Sequence, residues 1–456
     1  MLRRVVVTTG CLMLWTIASA QVPTGLPRTS GAPTVFDGAR LITADGRAPI
    51  EHSVFIVENG AVVSVGNVGQ VRIPAGATHV DLTGKTVMPA LVDAHVHVGY
   101  RRGLSFSADN YTRDNLLDTL DRFAYYGVGA ILETGTGRGR LPFDVRKEVR
   151  SGTRYLTAGS GFAMPNAGPG VPMRDAAYGV TTEAEARRDV QELAVNKPDM
   201  VKIWVDDRGG TVEKLRPDLY RAIIDEAHKH GLRVMAHINA LEDAKALLRA
   251  NVDGFAHVVR DKDIDQELLG LLKQRPTVFF LETLWGERRA LYGSKPTWLD
   301  EPILRDTLSE REVAALAASF DATAAADAGQ ARESAQRLLR NVAALHAAGV
   351  KLGLGTDTGG VSGGQYFGLA SHVELELLTR AGLTPIEAIE AATHTSAEVL
   401  RLTDLGTLAP GKSADFIVLD ANPLDRIGNT LKISKVFSRG KELDRSALRK
   451  RWNRAE

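Results

Sequence analysis

The chain has 456 residues, of which 44% are apolar and 24% are charged. This is the composition of a globular protein with room for one large domain and a smaller one. Lysine and arginine number 56 and aspartate and glutamate 55, with no basic tract. Nothing in this balance indicates a nucleic-acid partner or an electrostatic membrane patch, so both classes are set aside.

The first twenty residues differ in kind from the rest. Arg3 and Arg4 precede an apolar run over residues 5–17, and small residues stand before Gln21, which is typical of a secretory signal peptide. An uncleaved anchor is the alternative, although the run falls short of the roughly 20 residues of a spanning helix. Cys11, the single cysteine, lies in this segment, so the mature chain would have no disulfide, thiolate ligand or cysteine nucleophile. We predict a periplasmic or secreted protein, without stable membrane insertion after cleavage.

Short strand-like runs occur near both ends of the chain. Residues 21–33 are rich in Pro, Gly, Ser and Thr and predict a flexible spacer. Strand and turn patterns then fill residues 34–88, and a second set fills residues 405–445. Neither set has enough strands for a core of its own, so we expect the two sets to pair into one composite β-sandwich.

Residues 89–404 alternate apolar strands with amphipathic helices, the latter including residues 113–126, 182–195, 217–229 and 243–250. Eight units predict an α/β fold, a (β/α)8 TIM-like barrel with its active site at the carboxyl ends of the strands. A doubly wound open sheet is the alternative, but it lacks a glycine-rich phosphate loop. Residues 283–345 form a longer, largely helical insertion that could cover the site. The strands are predicted to end near His97, Glu133, Ser160, Lys202, His237, His257, Glu282 and Asp357.

Histidines recur at the predicted strand ends. His95 and His97 are two residues apart, so on a strand their side chains point the same way. His237, His257 and Asp357 end three other apolar runs. Each residue alone has a structural interpretation, as a core histidine or a turn-forming aspartate, but the set together favours metal ligation.

Lys202 is the one charged residue of an apolar strand. Burial would lower its pKa and leave a neutral amine that could act as a nucleophile or a base or accept carbon dioxide, whereas a lysine reaching solvent is the structural alternative. Glu133 could contact substrate or cap a turn, and the other histidines are interpreted as structural or exposed, His372 least securely. Four loop arginines could each hold a substrate carboxylate: Arg138, Arg140, Arg174 and Arg208.

Residues 86–97, Thr-Val-Met-Pro-Ala-Leu-Val-Asp-Ala-His-Val-His, resemble the opening signature of the amidohydrolase superfamily. The resemblance extends over about residues 35–443 and is closest to imidazolonepropionase-like and prolidase-like members. It implies a metal-dependent hydrolase on a distorted barrel with a sandwich made from both termini. It also implies a ligand set with Lys202 as a carboxylated bridge and Asp357 as ligand and proton shuttle: His95, His97, Lys202, His237, His257 and Asp357.

The resulting prediction is hydrolysis of an amide C–N bond by a metal-bound hydroxide. The substrate is a small molecule, a dipeptide or an N-acyl amino acid, and the cofactor is a pair of Zn2+ ions bridged by carboxylated Lys202, with manganese, iron or cobalt left open. One alternative is a single ion held by His95, His97, His237 and Asp357, used for opening of imidazolone-like rings or for deamination. Lactone or ester hydrolysis, a periplasmic metal- or ligand-binding protein without turnover, and a homo-oligomer also stay open.

Overall fold

The structure is a computed structural model that describes residues 32–149, 152–321, 328–360 and 366–453. The predicted signal peptide, residues 1–20, and most of the predicted spacer, residues 21–33, lie outside the described residues. Across the described ranges, every helix is too short or too polar to traverse a lipid bilayer.

Twenty strands form the sheets of the described residues. In chain order they are β1 Thr34–Leu41, β2 Ile50–Glu58, β3 Ala61–Asn67, β4 Thr78–Asp81, β5 Thr86–Pro89, β6 Leu91–Val96, β7 Arg101–Arg102, β8 Ser105–Phe106, β9 Val128–Glu133, β10 Arg154–Thr157, β11 Phe162–Ala163, β12 Tyr178–Gly179, β13 Val201–Val205, β14 Val234–Ile238, β15 Gly254–Ala256, β16 Phe279–Glu282, β17 Lys351–Leu354, β18 Phe416–Leu419, β19 Ile433–Ser438 and β20 Lys441–Glu442.

Helices separate most of the central strands. They are α1 Arg113–Tyr125, α2 Leu141–Glu148, α3 Glu183–Val195, α4 Pro217–Lys229, α5 Leu241–Arg249, α6 Gln266–Lys273, α7 Arg288–Tyr292, α8 Leu304–Thr307, α9 Glu310–Asp321, α10 Ala328–Ala347, α11 Leu369–Arg380, α12 Pro385–Glu390, α13 Ser396–Val399 and α14 Arg445–Asn453. Cap residues explain the helix starts that were predicted closely. Thr182 accepts a hydrogen bond from the backbone of Glu185 at the start of α3, and Pro217 opens α4.

Strands from both ends of the chain form one eight-stranded sheet, ordered β20-β19-β18-β5-β1-β2-β3 with β4 beside β1. The two ends meet where β18 runs antiparallel to β5, with Ile417 opposite Met88. Four buried phenylalanines pack beneath this junction with ring centroids 4.4 to 5.3 Å apart, namely Phe36, Phe55, Phe416 and Phe437. The predicted pairing of the two ends is therefore present as a single sheet, and its division into two layers stays a prediction.

The central strands are parallel. Strands β13, β14, β15, β16 and β17 pair in chain order, and β6, β9 and β10 form a second parallel sheet. Alternate side chains along these strands make an inner cluster that includes Ala94, Met235 and Leu281, while the other face packs on the helices. This alternation of parallel strands and helices confirms the α/β fold.

Two predicted strand ends are wrong. Lys202 is the second residue of β13, not its end, because the apolar run continues through Val205. Strand β10 ends at Thr157 rather than near Ser160. The predicted insertion is helical over α9 and α10, as its composition indicated.

Candidate metal centre

Three side chains meet at the carboxyl end of the first and last central strands. The backbone N–H of Asp357 donates to the carbonyl of His95 at 2.8 Å, and the N–H of His97 donates to the carbonyl of Thr358 at 2.8 Å. This pairing places Asp357 Oδ1 3.0 Å from Nε2 of His97 and 3.5 Å from Nε2 of His95. One ligand atom from each of the three lies within 4.8 Å of the others, so the group could hold a metal ion.

The turn after β17 holds Asp357 in this position. Asp357 has a φ of 55° and Gly359 a φ of 89°, in the left-handed region that favours glycine. A Cβ added to Gly359 would lie 1.6 Å from the carbonyl oxygen of His97. Burial opposes ionisation of Asp357, but hydrogen bonding with His97 and the electrostatic influence of His95 and Lys202 hold the pKa of Asp357 below its ordinary value.

Two further histidines extend the group. The ring of His257 lies 4.8 Å from the ring of His95 and 4.5 Å from that of His237. Burial lowers the pKa of His237 to about 4 and the pKa of His95 and of His257 well below the ordinary value. All three imidazoles are therefore neutral near pH 7, which is the state that binds metals.

Hydrogen bonds at these two histidines involve residues that the sequence analysis did not single out. Nε2 of His237 donates to Asp206 Oδ2 at 3.1 Å, which leaves the other ring nitrogen with its lone pair. The guanidinium of Arg260 donates to Nδ1 of His257 at 3.3 Å. Asp206 follows directly on the end of β13, a position that could have been searched for carboxylates.

Lys202 is fully buried beside this group. Burial lowers the pKa of its amine to about 7, opposed by the negative charges of Asp357 and Glu133. Among the described residues, Nζ has no hydrogen-bonding partner. The backbone of Gly135 packs closely against this side chain, since an added Cβ at Gly135 would lie 2.8 Å from Cβ and Cγ of Lys202. Lys202 therefore lies buried inside its strand, close enough to Asp357 for their charges to interact.

The donor set fits a divalent cation. Both ring nitrogens of His95 are buried without a hydrogen-bonding partner among the described residues, an arrangement that costs free energy unless another group binds them. Nitrogen and carboxylate oxygen are ligands that zinc and its neighbours accept. A metal ion would therefore satisfy atoms that the protein leaves unsatisfied.

Glu133 lies behind the site and does not line the cavity. Its Oε1 accepts hydrogen bonds from the N–H and the hydroxyl of Thr136, at 2.6 and 2.8 Å, and its Oε2 accepts one from the Thr157 hydroxyl at 2.7 Å. Of its two predicted roles, the structure supports capping of a turn. The Thr136 hydroxyl also lies 2.9 Å from Nδ1 of His97, and neither threonine was singled out from sequence.

Asp93 joins the first and last strands from below. Its carboxylate accepts from the N–H and hydroxyl of Thr356, at 3.1 and 2.7 Å, and from the hydroxyl of Ser371 at 2.9 Å. Burial raises the pKa of Asp93 to about 6, against the effect of these hydrogen bonds. Since Thr356 precedes Asp357 in the chain, the hydrogen bonds from Thr356 to Asp93 hold Asp357 close to His95.

A cavity of about 500 Å3 opens above the centre and is lined by His97, His237, His257 and Asp357. Thr283, Glu287 and Arg289 from the start of the insertion also line it, so this part of the insertion reaches the site. Three cationic side chains face the cavity: Arg208, Arg260 and Arg289.

The four arginines proposed from sequence have different positions. Arg208 lines the cavity, and both Nε and Nη2 donate to the carbonyl of Gly168. Arg138 forms a two-pronged ion pair with Asp175 at 2.7 Å, and Arg174 donates to the carbonyl of Pro169. Arg140 precedes α2 and is not a lining residue of this cavity. His372 lies 2.7 Å from the carbonyl of Tyr126, away from the cavity, in agreement with its structural interpretation.

Comparisons with known proteins identify the family of the chain. A sequence model described as the amidohydrolase family matches residues 86–443. An enamidase from Eubacterium barkeri is 21% identical over 388 residues, covering 84% of this chain and 85% of the relative. An imidazolonepropionase from Salinispora tropica is 25% identical over 417 residues, covering 83% and 89%. The crystal structure of a prolidase-like protein from Bifidobacterium longum superposes with a TM-score of 0.70 and 26% identity, covering 92% of this chain and 99% of the other. The chain belongs to the amidohydrolase family of enzymes.

Proposed function

We propose that this enzyme is a metal-dependent hydrolase that cleaves the amide C–N bond of a dipeptide-like or N-acyl amino acid substrate. The observation that carries the proposal is the meeting of His95, His97 and Asp357 within 4.8 Å of one another. The rings of His257 and His237 extend this group, and the ring nitrogens of His95 and the amine of Lys202 are buried without hydrogen-bonding partners among the described residues. The proposed ligands are His95, His97, Lys202, His237, His257 and Asp357.

The ligand set is proposed to hold two Zn2+ ions, bridged by Lys202 as a carbamate. Support comes from the buried, unpartnered amine of Lys202, whose pKa is lowered to about 7 by burial. Its neutral form can add carbon dioxide, forming an N–C bond and releasing one proton to solvent, and so become an anionic oxygen ligand. When bound, such ions lower the pKa of a coordinated water and polarise a carbonyl oxygen.

Asp357 is the residue proposed to move the proton. Its carboxylate stays ionised at neutral pH and faces the cavity, so it can accept a proton from an attacking water molecule. As the C–N bond breaks, the same oxygen can deliver that proton to the leaving nitrogen. His97 holds Asp357 Oδ1 at 3.0 Å and so fixes where the exchange occurs.

The substrate class rests on charge and on relatives. Arg208, Arg260 and Arg289 line the cavity, and a guanidinium binds a carboxylate well, which both proposed substrate types carry. The enamidase, the imidazolonepropionase and the prolidase-like protein are all named for reactions at C–N bonds.

A second candidate is a single-ion enzyme that opens imidazolone-like rings or deaminates. One observation favours it: Nδ1 of His257 accepts a hydrogen bond from Arg260, which gives His257 a role other than ligation. In that case His95, His97, His237 and Asp357 hold one ion, and Lys202 stays a free amine.

At the level of architecture, we propose a closed eight-stranded barrel over residues 89–404 and a composite sandwich from residues 34–88 and 405–445. Hydrogen bonds from Asp357 to His95 on one side, and from Asp199 to Thr157 on the other, support closure.

From the sequence of residues 1–20, we propose export to the periplasm or medium. Amino-terminal sequencing of the cell-fractionated protein would check that proposal.

The experiment that tests the function is metal content by elemental analysis, for the purified protein and for Lys202→Ala, with activity screened against dipeptides and N-acyl amino acids. We expect about two ions per chain, falling to one or none in the variant, together with hydrolysis of at least one substrate class. One ion in both proteins would overturn the bridging role of Lys202 and favour the ring-opening enzyme.

A further inference from the structure

The hydrogen bonds around His97 determine which of its ring nitrogens carries the proton. The hydroxyl of Thr136 has one proton, and it is donated to Oε1 of Glu133 at 2.8 Å. Only lone pairs of that hydroxyl oxygen remain for Nδ1 of His97, which lies 2.9 Å away. Nδ1 is therefore the donor in this contact, and Nε2 is the ring nitrogen that faces Asp357.

Thr136 is itself held rigidly. Its backbone N–H donates to Oε1 of Glu133 at 2.6 Å, and its carbonyl accepts from the hydroxyl of Tyr100 at 2.7 Å. The second oxygen of Glu133 accepts from Thr157 at 2.7 Å. Glu133, Thr136 and Thr157 are all buried, so water does not compete for these bonds, and the proton order is fixed by the protein.

On the other side of the ring, Nε2 of His97 lies 3.0 Å from Oδ1 of Asp357. Nδ1 is engaged by Thr136, so Nε2 is the ring nitrogen that meets Asp357 and His95 in the group able to hold a metal ion. The contact at Nδ1 therefore leaves Nε2 as the nitrogen of His97 that can bind a cation together with Asp357.

We propose that Glu133 and Thr136 are positioning residues that fix His97 as its Nδ1–H tautomer, so that Nε2 is preset for metal binding. The inference rests on the proposed function, because it takes His97 as a ligand. It adds a carboxylate–hydroxyl–imidazole relay, in which neither Glu133 nor Thr136 touches the ion or the substrate. Fixed orientation of a ligating histidine typically changes metal affinity by about 10- to 100-fold.

The test compares Zn2+ affinities of the full-length apo-protein by chelator competition. Thr136→Val removes the hydroxyl at nearly constant volume, and we expect affinity to fall about 10- to 100-fold, while Thr136→Ser restores it. The matched control is Thr157→Val, which removes a hydrogen bond to the same Glu133 without contact to His97. We expect that variant to stay within about threefold of wild type, since the contact that orients His97 is intact.

A second readout does not depend on metal binding. Long-range 1H–15N correlation spectra of 15N-histidine-labelled apo-protein report the protonated nitrogen of His97, with His97→Asn for assignment. We expect Nδ1–H in wild type and in Thr136→Ser, and a mixture of tautomers in Thr136→Val. An Nε2–H tautomer in wild type, or equal affinity losses in Thr136→Val and Thr157→Val, would overturn the relay. If His97→Asn leaves Zn2+ affinity unchanged, His97 is not a ligand, and both the proposed metal site and the relay are overturned. If His97→Asn lowers Zn2+ affinity but Thr136→Val does not, only the relay is overturned.

Discussion

The amine of Lys202 is the residue whose chemistry depends most directly on its surroundings. Burial without a hydrogen-bonding partner among the described residues lowers its pKa from 10.5 to about 7. Lowering the pKa of a lysine favours the neutral amine, and the neutral fraction grows as pH rises through that pKa. At pH 6, 7 and 8 the neutral fraction would be roughly 10%, 50% and 90%.

This titration predicts the pH dependence of metal uptake. If Lys202 must add carbon dioxide before the second ion binds, reactivation of apo-enzyme with Zn2+ should speed up about tenfold per pH unit below pH 7 and level off above it. Activity regained over time, at constant dissolved carbon dioxide, measures the rate. Lys202→Ala should show no dependence on carbon dioxide, and a rate in wild type that is flat from pH 6 to 8 would contradict the carbamate.

Single residues also show what the sequence could predict of the site. His95 and His97 follow from the two-residue period of a strand, and His237 and His257 from their positions after apolar runs. Asp206, Arg260 and Thr136 lie in loops beyond the strands, where no period relates sequence position to direction. Their contacts with ring nitrogens depend on how the neighbouring strands are registered, which one sequence does not specify.

Among the elements, helices were easier to predict than strand ends. A capping threonine fixes the start of α3 and a proline that of α4, so both boundaries are local. The end of β13 is determined by its partner strand and not by a local sequence signal, because Ile203, Trp204 and Val205 continue the apolar run and pair with β14. A strand ends where its partner ends, so Lys202 lies three residues inside β13 rather than at its edge.

The turn that follows β17 gives a prediction for one glycine. Gly359→Ala should abolish metal binding, because the added Cβ would lie 1.6 Å from the carbonyl oxygen of His97 and the Asp357 turn must move. Elemental analysis and activity measure the effect. Gly382→Ala is the matched control, since Gly382 also has a positive φ but no atom within 4 Å of the added Cβ.

The Gly382→Ala control distinguishes the effect of backbone strain from that of a steric clash with the added Cβ. Gly382→Ala should cost about 1 to 2 kcal/mol of folding free energy from backbone strain alone, with metal content unchanged. Full metal content in Gly359→Ala would show that the turn does not position Asp357.

At the scale of the whole molecule, the terminal sheet depends on contacts between distant parts of the chain. Phe416 is fully buried against Phe36, Phe55 and Phe437. Composition and turn signals predicted that both ends would combine, because neither set of strands could bury a core alone. The strand order, with β18 next to β5, could not be predicted from the sequence, since many strand pairings are compatible with the same alternation of apolar and polar residues.

This packing predicts that Phe416→Ala lowers the free energy of unfolding by about 3 to 5 kcal/mol, from lost burial and the cavity left behind. Denaturant unfolding followed by circular dichroism measures the loss. Val195→Ala, at a side chain that is 78% exposed, should change stability by less than about 0.5 kcal/mol. A similar small effect for Phe416→Ala would mean that the two ends are held by the backbone pairing alone.

The junction of β5 with β18 also bears on how the protein is made. Roughly 330 residues separate these partners in the chain, so at about 5 to 20 residues per second a ribosome needs roughly 20 to 60 seconds between them. During that interval β5 has an open hydrogen-bonding edge, and open edges recruit strands from other molecules. Until the last strands are made this edge stays exposed, so we expect rapid overproduction to favour aggregates that begin at it.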